Sequence, residues 1–138
     1  MNQRVILLGL DFGSTTSSAL VASAKVAKSI ATGHMQLDDI QVLYKSEPVF
    51  TPFAIHNNKP AIDIEKVAKL IANWLDDSGV QVTEIFSGGS MITGLAAQAY
   101  NAAALSTLII NIVGESVIAT ADDPCLESWL AFMGSWAR

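Results

Sequence analysis

The chain has 138 residues, 51% hydrophobic and 15% charged, enough for one domain with a real core and far from the profile of a disordered segment. Its net charge is −5 and it has no basic run, which argues against a nucleic-acid groove built on clustered Lys and Arg. The single Cys125 cannot close an internal disulfide, so a reducing, cytoplasmic setting is expected, with the thiol read as a small buried hydrophobe.

The apolar run 5–10 lacks a basic segment before it and a small-residue cleavage site after it, so it reads as a buried strand and not as a signal peptide. It breaks into Asp11-Phe12-Gly13-Ser14-Thr15-Thr16 and resumes as a second strand over 17–26. That loop offers one carboxylate, three hydroxyls and a run of backbone N–H groups, a set able to hold a phosphate and its magnesium ion. The same spacing fits an ordinary polar hairpin turn. Residues 27–39 read as a turn region, 41–44 as a short third strand, and 47–53 as an extended segment constrained by Pro48 and Pro52. Residues 57–60 read as a loop.

The first helix starts at Asp63, a cap for the free N–H groups of the first turn, with Ile62 and Val67 spaced as a hydrophobic staple. Ile64, Val67, Ala68, Ile71, Trp74 and Leu75 form its apolar stripe, and Gly79 ends it. A strand follows over 85–92, its Gly88-Gly89 pair allowing a close approach by backbone or ligand. Residues 95–113 read as one buried helix, too short and too interrupted by Ser106, Thr107 and Asn111 to span a membrane. Residues 116–121 give another buried strand, and Asp123-Pro124 opens a third helix through Leu126, Trp129, Leu130 and Met133. The order β-β-β-α-β-α-β-α predicts an α/β fold: a five-stranded mixed sheet with helices on its faces, its last two strands parallel to a neighbour.

Several chemistries fall away. Asp11-Phe12-Gly13 matches a protein-kinase triplet by letters, but only ten residues precede it, with no room for the loops a kinase needs upstream. No P-loop and no dinucleotide glycine pattern is present, and Gly88-Gly89-Ser90 is not a nucleophile elbow. His34 and His56 lie in separate loop-like segments without a second ligand at helical spacing, so they read as surface histidines. The strand order and first-strand Asp also suit a ribonuclease H-like two-metal nuclease. The fourth strand carries no acid, Glu84 lies at its wrong end, and no basic surface is available for nucleic acid.

Leu8-Gly9-Leu10-Asp11-Phe12-Gly13-Ser14-Thr15-Thr16 resembles the first phosphate motif of the actin, Hsp70 and sugar-kinase superfamily of ATPases. Ser46-Glu47-Pro48-Val49-Phe50-Thr51-Pro52-Phe53, Ser87-Gly88-Gly89-Ser90-Met91-Ile92-Thr93-Gly94, Val117-Ile118-Ala119-Thr120-Ala121, and Leu126-Glu127-Ser128 with Gly134-Ser135 are similar to one branch of it, the ethanolamine ammonia-lyase reactivating factors of the EutA family. The resemblance implies a ribonuclease H-like, actin-like ATPase subdomain over 1–138, the N-terminal part of a larger protein. It implies ATP and magnesium as cofactors, with Asp11 positioning Mg²⁺ through water and Gly13, Ser14, Thr15 and Thr16 contacting the phosphates. It further implies a chaperone-like role in ethanolamine utilization, exchanging damaged cobalamin on ethanolamine ammonia-lyase or a related cobalamin-dependent enzyme. A cytoplasmic location, with a bacterial microcompartment as a further expectation, goes with that role.

Two departures stand out. Leu95 occupies a place that is usually acidic in the family, and the basic residue beyond it is absent from Ala96-Ala97-Gln98. The second phosphate loop and the adenosine motif of the superfamily are expected after Arg138, so this chain alone is expected to bind nucleotide weakly, if at all, and to hydrolyse none. Its expected partners include the rest of its own chain, with no nucleic acid and no membrane. The alternatives are a non-catalytic interaction module of the same fold, suggested by the low charge and by Trp129 and Trp136, and a reactivase or activator of another dehydratase.

Overall fold

Alternation of apolar side chains with a two-residue period puts Leu8, Leu10 and Phe12 on one face of the first strand, and all three are buried. The computed structural model describes residues 3–114 and 116–121. The strands β1 (Gln3–Phe12), β2 (Thr16–Lys28) and β3 (Met35–Lys45) form an antiparallel meander, with β4 (Val49–Phe50) pairing against the start of β2. A short hairpin, β5 (Phe53–His56) and β6 (Lys59–Ile62), precedes helix α1 (Ile64–Ser78). Then come a 3₁₀ turn at Val82–Glu84, β7 (Ile85–Thr93), α2 (Gly94–Gln98), α3 (Ala102–Val113) and β8 (Ser116–Ala121).

The main sheet has the order β3-β2-β1-β7-β8, with β1, β7 and β8 mutually parallel. The mixed sheet and the two crossovers are those the element order predicts. Leu8, Leu10, Phe12, Val21 and Ile92 of the sheet share one core with Val67, Ile71, Trp74 and Leu75 of α1, Ala96 of α2, and Leu105 and Ile109 of α3. The described helices therefore cover a single face. The expected third helix, with Cys125, Trp129 and Trp136, lies outside the described residues.

Helix α1 ends as its caps dictate. Asp63 accepts a hydrogen bond from Lys66 N–H at 3.1 Å, which with the Lys66 ammonium keeps its carboxyl below the usual range. Gly79 takes the left-handed conformation at φ 70°.

Three local expectations change. The turn region 27–39 is mostly strand, because β2 and β3 stay paired out to Lys28 and Met35. The strand expected over 41–44 is the end of β3; its start is hidden because the register shift near Asp39 puts Met35 and Leu37 out of step with Ile40 and Val42. Residues 57–60 belong to a hairpin: Asn57 and Asn58 both have positive φ (50° and 60°), the two-residue turn whose twist matches the flanking strands. The helix expected over 95–113 breaks at Ala99, which has ψ 138°. Asn101 clamps β6 there, donating to Ile62 O at 2.8 Å and accepting from Ile62 N–H at 2.9 Å.

The β3 edge is tied down by charge. Arg4 and Lys25 reach Asp39 at 2.8 and 3.1 Å, and Asp39 sits at φ 48° beside a register shift. The hydrogen bond from Arg4, then that from Lys25, holds the Asp39 carboxyl down at about 2. A carboxylate depressed from about 3.9 stabilises the folded state above that pH and loses the contribution as the pH falls through its folded value. The denaturation midpoints of the wild type and of Asp39→Asn should therefore converge as the pH drops from about 4 to about 2; a constant gap would rule the linkage out.

Gly88 and Gly89 are adjacent yet not equivalent. A Cβ on Gly88 would meet Val113 Cγ1 at 2.5 Å and Leu8 O at 3.1 Å, whereas one on Gly89 finds nothing nearer than 3.8 Å. Gly88 lets α3 pack on β7. Gly88→Ala should cost about 1–3 kcal/mol in urea denaturation through overpacking, and Gly89→Ala should stay within about 0.5 kcal/mol. Equal effects would contradict this packing.

Candidate functional site

Because Phe12 is drawn into the core, its neighbour Asp11 must emerge on the face of the sheet opposite the described helices. It does so at the C-terminal end of the central strand, in register with Ser18 of β2 and Met91 of β7. Asp11 is exposed, as are Ser14, Thr15 and Thr16 of the turn that follows; Gly13 is partly buried. A cavity of about 610 Å³ lies along this face, with Asp11 and Lys45 among its polar lining and Leu20, Val42, Met91 and Val117 among its apolar lining.

The turn is held from behind. Gly13 N–H donates to Thr16 O at 3.0 Å, so this amide points into the turn. Thr51 Oγ1 donates to Gly13 O at 2.9 Å, and Thr51 N–H donates to Thr15 O at 2.9 Å. The Thr51 hydroxyl proton being used, the buried Ser17 hydroxyl supplies the proton of the 2.8 Å bond between them. Ser46 does the same work one turn back, accepting from Ala19 N–H at 2.8 Å and donating its own N–H to Ala19 O at 2.9 Å. Ser14 Oγ accepts from Leu95 N–H at 2.9 Å, which ties the turn to the start of α2.

The donor set suits a phosphate with magnesium. Ser14, Thr15 and Thr16, all exposed, follow the exposed Asp11 at the end of a parallel strand pair. Magnesium keeps most of its waters and takes one or two carboxylates. Among the described residues no group of three His, Cys, Asp or Glu side chains forms a denser metal site. His34 and His56 are both exposed and far apart in the chain, and His56 packs on Tyr100 with ring centroids 5.8 Å apart.

The sequence reading missed Thr51, Ser46 and Gly94. Thr51 and Ser46 sit in the segment singled out for its prolines, and the available signal was a pair of hydroxyls bracketing a stretch that cannot be helix.

A family model described as "Ethanolamine utilisation protein EutA" matches residues 3–138. The ethanolamine ammonia-lyase reactivase EutA of Escherichia coli (strain K12) is 25% identical over 142 residues, which cover 100% of this chain and 30% of that protein. The reactivase of the same name from Salmonella typhimurium (strain LT2) is 26% identical with the same coverage. The chain thus spans 30% of the length of these curated relatives. Among solved structures, the Aquifex aeolicus PPX-GPPA enzyme superposes with a TM-score of 0.52 at 13% identity, covering 86% of this chain and 36% of that one. That likeness shows a shared fold, consistent with a ribonuclease H-like architecture.

Thr51→Val keeps the shape and removes both hydroxyl bonds. It should cost about 1–3 kcal/mol in urea denaturation, because a buried Ser17 hydroxyl and the Gly13 carbonyl lose their partner, while Thr51→Ser should retain most of the stability. Equal losses in the two variants would show that the methyl, not the hydroxyl, braces the turn.

Proposed function

The chain belongs to the ethanolamine utilisation protein EutA family, and from that premise we propose that it is the N-terminal, phosphate-binding subdomain of an ATP-dependent reactivating factor for ethanolamine ammonia-lyase. The observation that carries this reading is the turn 13–16 at the end of the central strand, with Ser14, Thr15 and Thr16 exposed, its backbone braced by Thr51, and Asp11 exposed beside it.

In this reading Asp11 holds the waters of a magnesium ion, and Ser14, Thr15 and Thr16 donate to phosphate oxygens. Magnesium supplies neutralisation of the charge on the β- and γ-phosphates. The turn contributes position, since a braced loop meets the ligand without rearranging. Nucleotide hydrolysis would be coupled to exchange of damaged cobalamin on the lyase, the client that the names of the curated relatives point to. The chain alone is inactive in this proposal, because one loop grips only one side of the phosphates. The setting is the cytoplasm, with a bacterial microcompartment as a further site.

A second reading is favoured by the open sheet face, where Val117 is 75% exposed beside Leu20, Val42 and Met91. Here the chain is a non-catalytic module that pairs with a second copy through that face. Light scattering separates the two: a monomer that binds nucleotide counts against the module, and a dimer blind to nucleotide counts for it.

The decisive enzymatic test uses a longer protein carrying a second phosphate loop. It should hydrolyse Mg-ATP, and Asp11→Asn should lower kcat at least about 100-fold, while the 138-residue chain should show no turnover. Full activity in the longer Asp11→Asn protein would remove Asp11 from the site.

A further inference from the structure

Two segments at the ends of neighbouring parallel strands meet in this fold: the turn 13–15 beyond β1, and residues 93–95, where β7 passes directly into α2. Their contact is unusually close. Gly94 has φ 54°, and a Cβ built on it would overlap Ser14 Oγ and lie 3.2 Å from Ser14 Cβ. On the other side, a Cβ on Gly13 would lie 3.7 Å from Thr93 Oγ1. Gly94 leaves the room that Ser14 occupies, and Ser14 uses it to accept a hydrogen bond from Leu95 N–H across 81 positions of sequence.

A serine hydroxyl has two lone pairs and one proton. With one lone pair fixed on Leu95 N–H, the oxygen is held in place and its proton remains available to a ligand. We propose that Gly94 is a positioning residue for the phosphate turn: its missing side chain lets Ser14 dock on Leu95 N–H, and that docking sets the place of the hydroxyl that meets phosphate. This rests on the phosphate reading of the turn given above.

The device depends on backbone, not on the side chain at position 95. The departure from the family pattern at Leu95 therefore leaves it intact. Any side chain at position 94 breaks it twice, by a left-handed φ that favours glycine and by displacing the Ser14 hydroxyl.

The test has two arms. In the ligand-free chain, Leu95 amide exchange read by NMR should quicken about tenfold or more in both Ser14→Ala and Gly94→Ala, as expected for a lost hydrogen bond that protects a local opening. Protection at Ile71 and Ile109 should stay unchanged and so report an intact core. The exposed Ser14→Ala carries this arm alone if Gly94→Ala loses that core protection. Unchanged Leu95 exchange in Ser14→Ala would overturn the docking.

In a longer protein carrying the second phosphate loop, Gly94→Ala should raise the KM for Mg-ATP about tenfold. The double variant with Ser14→Ala should be little worse than Ser14→Ala alone, because both remove one device. Full additivity, or a KM untouched by Gly94→Ala while Asp11→Asn abolishes turnover, would overturn the positioning role and leave the phosphate turn standing. Turnover indifferent to Asp11→Asn and Ser14→Ala alike would bring down the phosphate reading and this inference with it.

Discussion

Everything at the candidate site follows from the burial of Phe12. A strand alternates its side chains between faces, so fixing one aromatic ring fully inside the core fixes the residue before it outside. Phe12 is among the largest side chains wholly removed from solvent, packed in one cluster with Ile71, Ile92, Leu105 and Ile109. Burial of a side chain of that size is worth about 1.5–3 kcal/mol. A register slip of one residue would bury Asp11 unpaired and expose Phe12, each costly. Hydrophobic packing of Phe12 therefore sets the face on which the carboxylate emerges.

The turn after Phe12 needs a different kind of support, because the three-residue connection 13–15 has too few side chains to build a core. Its support comes from the Pro-limited segment 46–53, which runs alongside β2 and delivers Ser46 and Thr51 as buried hydrogen-bonding groups. Proline suits this role. It holds the segment extended and removes the N–H that would otherwise compete for the same carbonyls. The segment adds only the two-residue β4 to the sheet, yet through Thr51 it decides the shape of the loop at the sheet's end.

This division of labour explains what the sequence could and could not tell. The central strands and α1 were legible because burial writes a period into them: two for Leu8, Leu10 and Phe12, and near 3.6 for Val67, Ile71, Trp74 and Leu75. Asp63 and Gly79 carry their cap roles in their own chemistry. Of β3 only 41–44 was legible, because the register shift near Asp39 puts Met35 and Leu37 out of step with Ile40 and Val42. The break at Ala99 was invisible for a related reason: its cause is Asn101 bonding a strand 39 residues away. The same holds at the site. Asp11 and the hydroxyls of the turn could be picked out by type and spacing, whereas Thr51, Ser46 and Gly94 act through tertiary contacts that no local pattern encodes.

Braced as it is, the turn remains an exposed patch on one side of a sheet, and its electrostatics follow from that. Near water a pair of unit charges a few ångströms apart interacts by about 1–4 kcal/mol, and salt screens even this. The chain adds a net charge of −5, which opposes a polyphosphate at long range. Three hydroxyls and one hydrated cation on an open surface can orient such a ligand; tight binding of it calls for the expulsion of water around the phosphates, which strengthens every contact. Water can be expelled only by a second surface closing over the first. Among the described residues, Leu20, Val42, Met91 and Val117 line the face beside Asp11 and are exposed, so a surface closing there would gain apolar burial of the kind that fixes Phe12.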